Sequence, residues 1–133
     1  MPLHTLTVRT AERNQMIDIT AEIEKYLLEN NFQSGILTIF VPHTTAAVTI
    51  NENADPSVKR DILTYLSKLI PRNADFRHLE GNSDSHIKTS LVSPSITVIV
   101  ENGRIVLGTW QSVFFCEFDG PRTRKVILKF IKD

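Results

Sequence analysis

Cys116 is the only thiol in this chain of 133 residues. One cysteine makes no internal disulfide, no two-thiol redox pair and no cysteine-rich zinc site. It sits in Phe114-Phe115-Cys116-Glu117-Phe118, where a free cysteine is expected to be buried and inert. An excess of one charge is missing as well. Fifteen Lys plus Arg balance 15 Asp plus Glu, and no basic run stands out, so nucleic-acid binding is disfavoured. No apolar stretch approaches the roughly 20 residues that cross a bilayer, and no basic segment leads into an apolar core with a cleavage site. The expectation is a soluble, cytoplasmic protein with no membrane partner. Internal repeats, low-complexity tracts and linkers are also lacking. A hydrophobic content of 41% over this length suits one domain, residues 1–133, able to bury roughly two-thirds of its unfolded surface.

The elements follow from period and punctuation. Leu3 to Val8 alternates, as a half-buried strand does. From Asp18 the period lengthens, and Ile19, Ile23, Tyr26 and Leu27 share a helical face that Asp18 or Thr20 can cap and Asn30-Asn31 ends. Ile36 to Val41 is continuously apolar, as a central strand is, and Pro42 stops its ladder. Ala46 to Ile50 reads as a returning strand. Asp55 as N-cap and Pro56 at the first position then open a helix with Val58, Ile62, Leu66 and Leu69 inward, closed by Pro71. Residues 72–90 show no hydrophobic period and form a candidate binding loop. Four strands follow: Ser95 to Val100, Arg104 to Leu107, Trp110 to Phe118 and Lys125 to Ile131. Asn102-Gly103 joins the first two as a hairpin, so the C-terminal half reads as an antiparallel meander. The fold expected is a single α+β domain, an antiparallel β-sheet or sandwich partly covered by two helices.

The chemistry concentrates in two polar clusters. His43-Thr44-Thr45 follows a core strand, where a site at a strand end would sit, and residues 77–88 hold His78 and His86. Histidine is a metal ligand and a proton carrier near neutrality, so His43, His78 and His86 are the candidates for both roles, although no tight ligand spacing joins them. Glu52, between two asparagines, could orient an imidazole or supply an oxygen ligand. Asp55 has a sufficient role as a cap. Glu117 is the odd residue of a nearly all-apolar strand. It reads either as an edge-strand device or as a site carboxylate with a raised pKa. Arg122 and Arg124, in a turn after Asp119-Gly120-Pro121, could grip one phosphate while Thr123 points away, or could merely punctuate two strands. Lys88 and the Thr44 and Thr45 hydroxyls could complete such an anion site. Ser83 and Ser85 near His86 lack a strained nucleophile turn, which disfavours acyl-enzyme chemistry. Trp110 reads as a packing anchor, and Gln111 as able to line a cleft.

Several of these stretches also carry a resemblance. Val41-Pro42-His43-Thr44-Thr45 running on to Asn51-Glu52-Asn53, then Ser85-His86-Ile87-Lys88, and Ser95 to Gly103 leading into Gly108-Thr109-Trp110-Gln111, are similar to the motifs of the YjbQ family. That family is also called UPF0047 or the secondary thiamine-phosphate synthase family, and the resemblance covers nearly the whole chain. It implies a YjbQ-like fold, a homotrimer and site roles for His43 and His86. It also implies an enzyme of phosphorylated small molecules, in which a thiazole phosphate attacks a pyrimidine methyl diphosphate and pyrophosphate leaves. Such a site would be His-based and could use a divalent metal, Zn or Mg. No Asp-rich or Gly-rich diphosphate motif accompanies it, so that activity could be secondary to a native one. The alternative is a non-enzymatic metal- or anion-binding protein.

Overall fold

The computed structural model describes residues 3–133. In chain order the elements are β1 (His4–Arg9), β2 (Gln15–Asp18), α1 (Thr20–Glu29), β3 (Gly35–Phe40), β4 (Ala46–Glu52), α2 (Pro56–Leu69), α3 (Ser83–Val92), β5 (Ser95–Glu101), β6 (Arg104–Ile105), β7 (Gln111–Glu117) and β8 (Thr123–Lys132). They form a five-stranded sheet, order β1-β8-β3-β5-β6, and a three-stranded sheet, order β2-β7-β4. Every strand pair is antiparallel. Among the described residues no helix is long and apolar enough to cross a membrane.

The main core lies between the sheets. Val8, Leu37, Ile39, Val98, Val126, Leu128 and Phe130 point inward from the larger sheet to meet Ala46, Val48, Val113 and Phe115 of the smaller. Ile23, Tyr26 and Leu27 of α1 close one side of that core. The smaller sheet is buried on its other face too. There Met16, Ala47, Phe114, Cys116 and Phe118 pack under Ile62, Leu63 and Leu66 of α2 and Val92 of α3. This double covering explains the unbroken apolar run of β7, because a strand sandwiched on both faces needs no polar side. Burial pushes the Cys116 thiol up to about 12, and only a thiolate reacts readily.

Local signals acted where they were read. The Asp55 carboxylate accepts from the Ser57 amide at 2.9 Å with Pro56 opening α2. Asn102 and Gly103 both take positive φ, 54° and 76°, as a two-residue hairpin of this hand requires.

Five expectations needed correction. A third helix, α3, stands inside the segment read as a loop. Its buried positions are Asp84, Ser85, Lys88 and Thr89, a helical spacing written in polar residues, which a search for apolar period passes over. The C-terminal strands do not form a meander: β7 leaves for the smaller sheet and β8 returns to pair between β1 and β3. The apolar β3 is central, yet it is covered on one face only, leaving Ile36 and Phe40 exposed. In α2, no residue is fully buried and Leu69 is exposed; Trp110, read as an anchor, is 65% exposed. The short β2 had no sequence signal of its own.

Candidate functional site

At one end of the sandwich the inward faces of β7 and β8 bring Glu117 and Arg124 together, their side chains 0% and 6% exposed. Arg124 Nε donates to Glu117 Oε1 at 2.8 Å, and its Nη2 donates to Glu117 Oε2 and to the Thr45 hydroxyl at 2.9 Å. Glu117 also accepts from the Thr10 hydroxyl at 2.9 Å and the Asp119 amide at 3.0 Å. Burial alone would raise its pKa. The Arg124 hydrogen bonds, the Asp119 amide, the Thr10 hydroxyl and the Arg124 charge outweigh that and hold the carboxyl below its ordinary value. Glu117 is therefore neither an edge device, since β7 is the middle strand, nor a carboxylate with a raised pKa.

Arg124 has a second side. Among the described residues none of its hydrogen bonds uses Nη1, and Arg124, 5% exposed, lines an open cleft with Phe40, Pro42, His43, Thr44 and Pro94. His43 is the third residue past β3. Its Nε2 accepts from the Lys125 amide at 3.0 Å, so the neutral ring carries its proton on Nδ1. Burial, then the neighbouring Arg124 charge, lower the His43 pKa, while Glu117 opposes them in part. At neutral pH His43 is an uncharged ring with one N–H to offer. The cleft thus combines a guanidinium edge, an imidazole N–H and the exposed Thr44 beside Thr45, which is a donor set for an anion.

A second polar network adjoins the first through the 117–122 turn. Arg13 bridges Asp84 at 3.0 Å and Asp119 at 3.2 Å, and Lys88, 1% exposed, donates to Asp84 at 3.3 Å and Asn14 at 3.1 Å. Asn82 and Arg122 donate to Asp119 at 2.9 Å and 3.0 Å. Burial would raise the Asp119 pKa, but these donors and the Arg122 and Arg13 charges bring it below its usual value. Ser85 donates to the Phe118 carbonyl, which ties α3 to the end of β7. His86, in the first turns of α3, sits edge-on to His78 with ring centroids 5.4 Å apart.

A family model described as UPF0047 protein YjbQ-like matches residues 4–133. The chain belongs to the UPF0047 family. It is 56% identical over 126 residues to a UPF0047 protein of Methanocaldococcus jannaschii, covering 95% of this chain and 91% of that one. To the UPF0047 protein YugU of Bacillus subtilis it is 52% identical, covering 97% and 98%. Among solved structures, an uncharacterised YjbQ/UPF0047 protein of Clostridium acetobutylicum superposes with a TM-score of 0.94 at 50% identity, covering 96% of this chain and 99% of that one. A hypothetical protein of Aeropyrum pernix gives 0.94 at 36% identity with both chains fully covered.

Within this UPF0047 chain the candidate residues divide into groups. His43, Thr44, Thr45, Arg124 and Glu117 meet at the cleft or directly behind it. Arg122 does not join Arg124: its side chain folds back on Asp119 while Arg124 turns into the core. Lys88 is spent in the buried network. Glu52 ends β4 opposite Gln111, whereas Ala46 pairs with Glu117. Six residues of strand put Glu52 about 20 Å from the cleft end. No hydrogen bond or ring contact among the described residues joins His43 to His86. Nor do the described residues contain a group of three or more His, Cys, Asp or Glu side chains that could hold a metal. Sequence reasoning missed Thr10, Arg13, Asn14, Asp84 and Asp119. Only the i, i+4 spacing of Asp84 and Lys88 was a usable signal.

Proposed function

We propose that this UPF0047 protein is a small-molecule enzyme acting on phosphorylated substrates at the His43–Arg124 cleft. The observation that carries the reading is the pairing of an unused guanidinium edge with an imidazole whose tautomer is set by the Lys125 amide. Both offer N–H groups, and the Glu117 carboxylate locks one of them in place. The reaction that suits such donors resembles thiamine-phosphate synthesis. A thiazole nitrogen attacks the methylene carbon of a pyrimidine methyl diphosphate, the C–O bond breaks and pyrophosphate departs with the bonding pair. Arg124 and His43 would stabilise the charge growing on the leaving oxygen. A resident divalent metal would need donors from more than one chain, since His43 Nε2 is engaged and the described residues gather no ligand group. The homotrimer implied by the family resemblance is part of the same reading.

A second reading, non-enzymatic anion binding, is favoured by one feature. Glu117, bonded to Arg124, and Asp119, in the adjoining turn, are held ionised, Glu117 by Arg124 and Asp119 by Asn82, Arg122 and Arg13, so neither is poised as a general acid. Incubation with both thiamine precursors and magnesium, followed by assay of thiamine phosphate and pyrophosphate, separates the two. Turnover that falls in His43→Ala supports the enzyme. Calorimetric binding of inorganic phosphate without turnover leaves the binding protein, and no binding at all defeats both.

A further inference from the structure

A groove runs between α2 and α3 over the outer face of the smaller sheet, a cavity of about 300 Å³. Its floor is Met16, Cys116 and Phe118, and Met16 pairs with Cys116 across β2 and β7. Ile62, Leu63 and Leu66 of α2 form one wall, Leu91 and Val92 of α3 the other. An amphipathic helix laid on a sheet normally buries its apolar stripe. No residue of α2 is fully buried, because part of its stripe borders this groove. The opposite wall is tied to β4. Ser93 ends α3 at φ +108°, a conformation that disfavours a side chain. Its amide donates to the Thr89 carbonyl at 2.9 Å, and its carbonyl accepts from the Val48 amide at 3.1 Å.

We propose that this groove binds a flat heteroaromatic molecule of one or two rings, at a site separate from the His43–Arg124 cleft. Access, size, floor and rim each point to that occupant. Met16, Cys116 and Phe118 are at most 4% exposed, so the way down is narrow. A planar ring entering edge-on reaches the floor, and a helix or strand of another chain does not. A cavity of about 150 Å³ holds benzene, so about 300 Å³ suits one substituted ring or two fused ones. The floor offers two sulfurs and a phenyl ring, which favour an aromatic ligand over an alkyl chain. Thr49 and Asn51 supply the polar rim. Asn51 Oδ1 accepts from the Glu52 amide at 2.7 Å, and among the described residues its Nδ2 has no acceptor, so it is left to donate beside the Thr49 hydroxyl. A ring nitrogen or carbonyl placed there gains a hydrogen bond that a hydrocarbon ring does not. No residue of the groove lines the cleft, so the proposal holds whether or not the cleft takes phosphate.

The test is an NMR titration of the full chain, labelled at its Ile, Leu and Val methyl groups, with quinoline as the probe. Quinoline should shift the Ile62, Leu63, Leu66 and Val92 methyl signals saturably and leave the His43 ring signals in place. Shifts centred on the cleft, shifts that never saturate, or no shifts at all overturn the proposal. Octanol, an alkyl probe with its own hydroxyl, should bind at least about tenfold more weakly than quinoline. Equal or tighter binding of octanol refutes a ring site in favour of a chain. Thr49→Val and Asn51→Ala should each weaken quinoline about fivefold, the worth of one hydrogen bond. Unchanged affinity in both refutes the heteroatom at the rim. Leu63→Trp, which fills the groove, should abolish binding with its circular dichroism unchanged, and wild-type affinity in that folded variant overturns the proposal. Should Leu63→Trp not fold, the methyl map and the rim variants still decide.

Discussion

Replacing Glu117 by Gln should be among the most damaging near-isosteric changes available in this chain. The carboxylate is fully buried, is gripped by two nitrogens of Arg124, and accepts from the Thr10 hydroxyl and the Asp119 amide. Gln keeps the shape but turns one acceptor into a donor facing a guanidinium, and it leaves the Arg124 charge uncompensated. Breaking a buried pair from one side costs about 3 to 5 kcal/mol, a large share of the roughly 5 to 15 kcal/mol that stabilises a domain of this kind. In a thermal melt that is a fall on the order of 10–20 °C. The double replacement Glu117→Leu with Arg124→Met should recover much of the loss, because it removes the unpaired charge along with the pair. The pH dependence supplies a second readout. The folded Glu117 pKa lies below the ordinary 4.5, so its contribution is fully present above that value and is lost as pH falls through the folded pKa. Urea unfolding from neutral to acid pH should therefore show the wild-type advantage over Glu117→Gln shrinking below about pH 4.5. A loss under about 1 kcal/mol at neutral pH would refute the reasoning, since it would mean that Arg124 finds compensation elsewhere.

The remaining predictions concern single groups. The His43 pKa is lowered, so its ring should titrate by NMR with a midpoint below 6.5, and Arg124→Gln, which removes a repelling charge, should move that midpoint up; no movement would deny that the two groups share the cleft. By the same sign, stability owed to neutral His43 is present above pH 6.5 and is lost as pH falls through the lowered midpoint. Cys116 should resist a disulfide-exchange reagent in the native protein and react at once in denaturant, and rapid native labelling would contradict its burial. Gly103 holds φ +76°, so Gly103→Val should cost on the order of 1 to 3 kcal/mol in urea unfolding, and a neutral result would show that the hairpin does not need that conformation.

What the chain spells out locally, it folds locally. Asp55-Pro56 starts α2 and Asn102-Gly103 turns the β5–β6 hairpin, because a cap and a tight turn are each settled within a few residues. His43 stands after a core strand for a similarly short-range reason, the proline that stops the ladder. The single α+β domain and the family membership were legible from pattern and motif as well. Tertiary structure alone decided the rest. The helical period of α3 is carried by Asp84, Ser85, Lys88 and Thr89, which can be buried only because Arg13, Asn14 and the end of β7 supply partners. Glu117 is ionised in the core because Arg124 arrives on a strand of the other sheet and Thr10 comes from a position 107 residues away. The outer face of β3 stays exposed because its outer side meets no layer among the described residues. Burial of charge and choice of strand partner depend on residues distant in sequence, and no local period encodes them.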